Sequence, residues 1–226
     1  MECVTDYRYE KKYFVKAISV SEILSLLKLH PAAYRVHYPH RYVNSVYFDS
    51  PGMRSYNSHI SGEPVRKKVR IRWYGDESGL IENPVLELKE KNGGIGKKRS
   101  FSLPQTNVAR NRTDWCRIIK KALLPADVIE EIQNLSPVLL IRYCRHYYIS
   151  GDKLCRLTVD SDLCFGKLSS AANFRTQPER YFNTVVIELK YSTNCDCRNY
   201  EAGTLFNSRI TAYSKYLEGI NCTAFL

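Results

Sequence analysis

The 226-residue sequence contains no long apolar run and no targeting segment that can be recognised. No stretch approaches the roughly 18 consecutive apolar residues that a membrane-spanning helix needs. The first residues have neither the basic start nor the apolar run of a secretory signal peptide. These absences argue against a membrane-spanning or secreted chain and favour a cytoplasmic location.

Short motifs of several common protein classes are also missing. No glycine-rich phosphate fingerprint follows a predicted strand and no nucleophile elbow is present, which argues against a Rossmann or P-loop enzyme. Because no RNA- or DNA-binding signature is present, we expect no nucleic-acid partner. The closely spaced cysteines, Cys195 and Cys197, lack the two-residue spacer of zinc and thioredoxin-like sites. We expect most of the eight cysteines to be small core residues.

The charge balance is the most informative feature of the composition. Hydrophobic residues make up 44% and charged residues 25% of the chain, which predicts a folded protein, and we expect residues 1–226 to form a single domain. The 34 Lys and Arg residues outnumber the 23 Asp and Glu residues, which gives a net charge of +11. This excess indicates a polyanionic partner: a nucleic acid, an anionic membrane surface or a condensed phosphate.

Period-two alternation predicts about eight strands. In the segment 66–74, it places Lys68, Arg70 and Arg72 on one face and apolar side chains on the other. The other predicted strands are 7–15, 42–49, 84–91, 98–103, 138–149, 153–165 and 184–191. Their hairpin-compatible spacing predicts a mainly antiparallel α+β fold.

Helical periodicity and turn residues divide these strands. Ser21 is the predicted cap of a helix over 22–30, and Thr113 of a helix over 114–124. Pro125 opens a predicted helix over 126–135, and a last helix is predicted over 202–219. Gly93 and Gly94 predict a turn, whereas the mixed polar segment 166–183 predicts a longer loop.

A Glu-x-Lys pattern occurs three times, at Glu10, Glu87 and Glu188. For any single strand, the simpler interpretation of alternating charge is a sheet face in water. The repetition with both charge signs favours an eight-stranded barrel whose cationic lumen holds a small ligand or an extended polyanion. Arginine can grip phosphate oxygens with two donors, and carboxylates can hold a divalent metal that bridges those oxygens. The pattern therefore favours phosphoanhydride chemistry.

Taken in order, the motifs resemble the VTC domain, the polyphosphate polymerase catalytic domain within the triphosphate tunnel metalloenzyme (CYTH) superfamily. The superfamily opens with Glu-x-Glu-x-Lys, whereas Arg8 replaces the first Glu here and matches the VTC-type opening. This replacement removes one potential metal ligand and favours polymerase over triphosphatase activity. The motifs that carry the resemblance lie at 8–13, 46–49, 69–74, 86–89, 141–145, 156–160, 187–190 and 214–216.

The resemblance implies a fold, a reaction and a set of site residues. The fold would be an eight-stranded tunnel-like β-barrel with decorating helices. The reaction would transfer the γ-phosphoryl group of ATP to a pyrophosphate or polyphosphate end and release ADP. Glu188 would be the principal ligand of Mn²⁺ or Mg²⁺, with Glu87 and Glu10 as helpers. The expected triphosphate contacts are Lys12, Arg70, Arg72, Lys89, Lys98, Arg145, Arg156, Lys190 and Lys215, with Arg70, Arg72 and Lys89 on the ATP phosphates.

Several alternatives stay open at this point. The chain could instead be a metal-dependent triphosphatase or nucleoside triphosphatase, or a non-catalytic module that binds polyphosphate or inositol phosphate. The resemblance also allows a membrane-protein partner. Alternation selects Lys98 over Lys97 for the charged face, and Arg142 and Arg145 cannot share a face without a bulge. Asp160 could bind metal or orient Arg156.

Overall fold

The structure is a computed structural model that describes residues 8–16, 18–92, 95–109, 113–168, 179–180, 184–192 and 209–224. Its strands are β1 (Arg8–Lys16), β2 (Arg35–Asp49), β3 (Val65–Tyr74), β4 (Gly79–Ile81), β5 (Val85–Asn92), β6 (Ile95–Ser102), β7 (Thr106–Val108), β8 (Ser136–Ile149), β9 (Cys155–Lys167), β10 (Glu179–Arg180) and β11 (Thr184–Ser192). Its helices are α1 (Val20–Lys28), α2 (Arg54–Ile60), α3 (Trp115–Lys120), α4 (Ala126–Ile132) and α5 (Lys215–Thr223).

Backbone hydrogen bonds order eight strands as β1-β11-β9-β8-β2-β3-β5-β6, with β10 beside β9 and a separate β4-β7 pair. The pairs β1-β11, β11-β9, β2-β3, β3-β5 and β5-β6 are antiparallel. The mainly antiparallel α+β fold predicted from the sequence is therefore confirmed.

The prediction of a closed eight-stranded barrel is wrong for the described part of the chain. The two end strands of the order, β1 and β6, do not pair there. Instead, Ile210 forms a bridge with Tyr13, and the N–H of Thr211 donates to the carbonyl of Lys12 at 2.8 Å. Residues 210–211 therefore occupy part of the β1 edge that barrel closure would need.

Backbone contacts divide the chain into two compact units. Unit 1 comprises Met1–Arg41, Tyr143–Leu163 and Tyr181–Tyr213, and unit 2 comprises Tyr42–Arg142, Cys164–Arg180 and Ser214–Leu226. A single domain over residues 1–226 stays a prediction.

The core of unit 1 lies between α1 and one face of its strands. Ile23 and Leu27 of α1 are fully buried in the same cluster as Val159, Ile187 and Leu189. Because successive strand residues point to opposite faces, the even-numbered charged residues of β9 and β11 lie on the other face. The apolar core thus fixes which face carries the charges.

The start of α1 differs slightly from the prediction. Ser19, not Ser21, is its cap: the Ser19 hydroxyl accepts from the Glu22 N–H at 3.2 Å, and the Glu22 carboxylate accepts from the Ser19 N–H at 2.8 Å. This reciprocal pair satisfies two N–H groups that the first turn would otherwise leave open. The helix ends at Lys28 because Pro31 disfavours helical geometry in the residues before it.

The core of unit 2 confirms the alternation predicted in β3. Val69, Ile71 and Trp73 are buried, and the Trp73 ring stacks on Trp115 of α3 at 5.2 Å between centroids. Val128 of α4 belongs to the same cluster. With this face of β3 covered by helices, the cationic side chains of the strand lie on the opposite face.

Other strand and helix boundaries differ more from their predicted positions. Strand β2 begins at Arg35, seven residues before the prediction, and β4 and β7 were not predicted. Helix α5 begins only at Lys215, where the Ser214 hydroxyl accepts from the Leu217 N–H at 3.4 Å. Residues 209–214 are not helical, and the predicted residues 202–208 lie outside the described part.

The other features predicted from the sequence lie only partly within the described residues. Of the predicted loop 166–183, the described residues extend β9 to Lys167 and form β10, and the others lie outside the described ranges. The predicted turn at 93–94 and the pair Cys195 and Cys197 also lie outside them. Cys144, Cys155 and Cys164 are buried, as expected for core cysteines. No helix within the described ranges has the length and apolarity to cross a bilayer.

Candidate functional site

In unit 2, several cationic side chains surround one carboxylate, that of Glu87. The group that we call the Glu87 cluster consists of Tyr47, Arg70, Arg72, Glu87 and Lys98. Tyr47, Arg70 and Glu87 lie opposite one another across β2, β3 and β5. Arg70 donates from Nε and Nη2 to Glu87 Oε2 at 2.7 and 2.6 Å, and Lys98 Nζ lies 2.5 Å from Oε1. Lys98 therefore faces the cluster, as alternation predicted over Lys97.

The environment of Glu87 strongly favours its ionised form. Burial by itself raises the pKa of a carboxyl group, but Arg70, Arg72 and Lys98 outweigh it and lower the pKa of Glu87 to about 2. The carboxylate therefore holds the cationic groups in place while neutralising part of their charge.

Arg72 has donor capacity that the described residues do not use. Its Nη1 lies 3.7 Å from Glu87 Oε1, which is beyond a good hydrogen bond, and its Nε is buried without a hydrogen-bond partner. A buried donor without an acceptor costs free energy. A phosphate oxygen would supply that acceptor.

Three lysines form a row across β3, β5 and β6. Lys68 lies directly opposite Lys89, and Lys89 lies directly opposite Lys98. Like charges directly opposite each other destabilise a sheet, and a bound anion would reduce that repulsion. Lys68 was not among the predicted site residues, and its Nζ lies 3.0 Å from Ser214 Oγ.

A network of two tyrosines and a buried carboxylate holds Arg70 in position. Arg70 Nη1 donates to the Tyr47 hydroxyl at 2.8 Å, and the Tyr47 ring stacks on Tyr216 at 5.1 Å. The Tyr216 hydroxyl donates to buried Asp49 at 2.5 Å, and this bond raises the pKa of Tyr216 together with burial. Burial opposes ionisation of Tyr47, but the positive charges of Arg70, Arg72 and Lys215 outweigh it and lower the pKa of Tyr47.

Unit 1 contains a second charged group, and we call Glu10, Lys12, Glu188 and Lys190 the Glu188 cluster. In the register, Lys190 lies opposite Glu10 and Glu188 lies opposite Lys12. Lys190 Nζ lies 2.6 Å from Glu188 and 3.8 Å from Glu10, and Lys12 Nζ lies 2.8 Å from Glu10. Both carboxylates thus flank a single ammonium group.

Neighbouring cations keep both carboxylates ionised. For Glu188, burial raises the pKa, but Lys190, Lys12 and Arg145 lower it well below the usual range. For Glu10, burial and the charge of Glu188 raise the pKa, and Lys12 and Lys190 more than offset them. Two ionised carboxylates are thus held beside each other, as a cation site requires.

The arginines of β8 have separate partners. Arg145 donates to both oxygens of Asp160, at 2.6 and 2.7 Å, so Asp160 orients Arg145 rather than Arg156. Burial lowers the pKa of Arg145, but Asp160 outweighs it and raises that pKa well above its usual value. Arg142 instead stacks on Tyr42 at 4.1 Å and lies 3.6 Å from Glu77. Arg142 and Arg145 therefore have different surroundings, as alternation predicted.

The residues of unit 1 fit a divalent cation in part. No group of three or more His, Cys, Asp or Glu side chains in the described ranges could hold a metal ion. However, Thr158 lies opposite Glu188, and its hydroxyl is buried without a hydrogen-bond partner. Because Mg²⁺ often takes one or two carboxylates and completes its shell with phosphate oxygens and water, Glu188 and Glu10 fit it.

The predicted site residues thus lie in two groups. Arg156 lies opposite Lys190 in unit 1, and Lys89 belongs to the lysine row of unit 2. Glu87, predicted as a metal helper, is bound by Arg70 and Lys98. Sequence reasoning missed three further polar residues at the site, although alternation already placed one of them, Lys68, on the same face as Arg70 and Arg72. The missed residues are Tyr47, Lys68 and Thr158.

Comparison with known families identifies the family to which the chain belongs. The sequence profile of the VTC domain matches residues 7–224, so the chain belongs to the VTC domain family. No curated protein sequence matches the chain.

Solved structures show the same fold at low sequence identity. A Hippeastrum protein that carries an adenylyl cyclase name and has a dominant triphosphatase activity aligns with a TM-score of 0.55 and 15% identity, covering 95% of this chain and 96% of that one. A Vibrio parahaemolyticus protein with an adenylate cyclase name gives 0.51 and 12%, with coverages of 96% and 98%. A protein of Pyrococcus horikoshii OT3 gives 0.51 and 11%, with coverages of 95% and 99%.

Proposed function

We propose that the chain is an ATP-dependent polyphosphate polymerase. It transfers the γ-phosphoryl group of ATP to a pyrophosphate or polyphosphate end and releases ADP. The observation that carries this proposal is the row of Lys68, Lys89 and Lys98, whose mutual repulsion a polyanion would relieve. The match to the VTC domain over residues 7–224 supports the same substrate class.

The residues of unit 2 bind and orient phosphate in this proposal. Arg70 and Arg72 donate to phosphate oxygens, where they stabilise the negative charge that spreads during transfer. Glu87 holds Arg70 and Lys98 in position, so little reorganisation is needed when the phosphate arrives. Lys89 and Lys215 add positive charge beside them.

The residues of unit 1 hold charge of both signs. Arg145, fixed by Asp160, and Lys12, Arg156 and Lys190 are assigned to phosphate oxygens. Glu188 and Glu10 would hold Mn²⁺ or Mg²⁺, which when bound neutralises phosphate oxygens and makes phosphorus more electrophilic. The acceptor is itself a phosphate oxygen, so transfer needs no covalent enzyme intermediate.

A second candidate is a metal-dependent triphosphatase, in which water replaces the phosphate acceptor. The specific observation in its favour is the Hippeastrum structure, which aligns at a TM-score of 0.55 and has a dominant triphosphatase activity. A membrane-protein partner and the absence of a nucleic-acid partner stay predictions from the sequence.

Product analysis separates these functions. The purified chain would be incubated with ATP and Mn²⁺ or Mg²⁺ while ADP, orthophosphate and polymer length are measured. A polymerase gives ADP and long-chain phosphate with little orthophosphate, whereas a triphosphatase gives orthophosphate without polymer. Tight phosphate binding without either product would identify a binding module and contradict the proposal.

A matched pair of variants on β6 connects the activity to the cluster. Lys98 contacts Glu87, whereas the neighbouring Lys97 lies on the opposite face. We expect Lys98→Ala to reduce turnover about tenfold or more, as for a lost charge-assisted phosphate contact, and Lys97→Ala to retain it. Equal turnover by the two folded variants would remove the Glu87 cluster from the site.

A further inference from the structure

An aromatic and cationic group lies near Arg145 in unit 1, formed by Tyr38, Arg41 and Tyr147, and we call it the Tyr147 platform. The Arg41 Nε donates to the Tyr147 hydroxyl at 3.1 Å, and the Arg41 guanidinium lies 5.1 Å from the centre of the Tyr147 ring. The Tyr38 ring meets the Tyr147 ring edge-on at 6.0 Å. Arg41 thus fixes the orientation of the Tyr147 ring.

The platform lies on the same strand face as Arg145. Tyr148 is buried in the core of unit 1, so the alternating residues Arg145 and Tyr147 lie on the face away from that core. Two residues along a strand are separated by about 7 Å. Tyr147 is therefore displaced along β8 by a short, defined distance from an arginine assigned to phosphate.

The platform retains access to solvent. The side chain of Tyr38 is 53% exposed, and Arg41 is also exposed. Exposed aromatic rings cost solvation free energy that a stacking ligand recovers. A nucleobase is suited to this position because its flat π surface stacks on both aromatic rings and guanidinium groups.

We propose that the Tyr147 platform binds the base of the nucleotide substrate. The proposal rests on the assignment of ATP as phosphoryl donor, because ATP carries its base at the end of the molecule remote from the γ-phosphate. With one of the ATP phosphates at Arg145, the base extends along the face of β8 toward Tyr147. The platform gives the enzyme a preference for nucleoside triphosphates over inorganic triphosphate.

Binding measurements with two ligands test this proposal. ATP and inorganic tripolyphosphate would be titrated into the full chain without divalent metal, so that neither ligand is turned over. We expect Tyr147→Leu to weaken ATP binding about tenfold, the effect of losing one stacked base, and to change tripolyphosphate binding by less than about twofold. Tyr147→Phe, which keeps the ring, should restore most of the ATP affinity.

A control variant separates stacking from general loss of aromatic surface. Tyr9 is 55% exposed on β1, and its ring lies tilted at 5.5 Å from that of Tyr191, a residue of the unit 1 core. Tyr9→Leu should leave binding of both ligands unchanged. Thermal unfolding of each variant would establish that the chain is folded.

Three results would overturn the proposal. The first is that Tyr147→Leu weakens the binding of ATP and of tripolyphosphate equally, and the second is that it weakens the binding of neither. The third is that the chain binds a single-stranded RNA oligonucleotide more tightly than ATP and that Tyr147→Leu weakens both by the same factor. Its failure is distinguishable from failure of the polymerase proposal. If metal addition gives no turnover but ATP still binds more tightly than tripolyphosphate through Tyr147, only the polymerase proposal fails. If polymer forms but binding does not depend on the base, only the proposed role of the Tyr147 platform fails.

Discussion

The hydroxyl of Tyr216 donates a 2.5 Å hydrogen bond to Asp49, whose side chain is completely buried. The same carboxylate accepts backbone N–H groups of Ser55 and Tyr56 at 2.9 and 3.1 Å. One carboxylate therefore joins the end of β2, the start of α2 and the first turn of α5. This junction also positions Tyr47, which stacks on Tyr216 and accepts from Arg70.

Tyr216→Phe should reduce stability because it leaves one lone pair of buried Asp49 without its donor. Loss of a hydrogen bond to a buried charge costs about 1–3 kcal/mol. Urea unfolding would measure the free energy of unfolding, with Tyr9→Phe at a 55% exposed position as the control. Identical unfolding midpoints for the two variants would contradict the role assigned to the junction.

Glu87→Gln should change how stability depends on pH. The folded-state pKa of Glu87 is lowered from 4.5 to about 2, so its ionisation stabilises the fold above about pH 4.5. That contribution is lost as pH falls toward 2. We therefore expect the variant to be less stable than the parent at pH 7, with a difference that narrows between about pH 4.5 and 2. A difference that stays constant with pH would contradict the pairing with Arg70 and Lys98.

Lys89→Ala should separate stability from anion binding. Removing the central lysine relieves repulsion with Lys68 and Lys98, so the variant should unfold at the same or a higher temperature in low salt. Tripolyphosphate should raise the unfolding temperature of this variant less than that of the parent. Lys97→Ala serves as the control. A full tripolyphosphate-dependent shift in Lys89→Ala would show that the lysine row does not bind the anion.

Thr158→Val should remove a buried hydroxyl that has no partner in the described structure. Because valine has a similar shape, stability should stay the same or rise by up to about 1 kcal/mol. If the hydroxyl contacts a metal-bound ligand, the Mn²⁺ concentration needed for half-maximal turnover should rise several-fold. A loss of stability with unchanged Mn²⁺ dependence would assign Thr158 a purely structural role.

The strand faces could be predicted from the sequence because alternation is a local property. Trp73 is buried under α3, and Arg70 lies on the charged face, as the period of two requires. The preference for Lys98 over Lys97 followed from the same rule. The helix cap was misplaced by two residues because Ser19 and Ser21 are chemically equivalent, and only the hydrogen bonds with Glu22 distinguish them.

Long-range partners could not be predicted from local patterns. Asp160 on β9 pairs with Arg145 on β8, whereas the sequence left Arg156 or a metal as its possible partner. The bond between Tyr216 and Asp49 joins residues separated by 167 positions. The backbone before Lys215 is not helical, and Ile210 there forms a bridge with Tyr13 of β1. A helical pattern in the sequence carries no information about such a bridge.

Ile210 and Thr211 also affect how much of the outer edge of β1 is open to other strands. An uncovered outer strand presents N–H and C=O groups to which another protein molecule can add a strand, the first step of many aggregation reactions. By pairing with Tyr13 and Lys12, these two residues block that step on part of β1. A segment that contributes little to the core, with Ile210 57% exposed, thus covers part of an edge to which another strand could otherwise add.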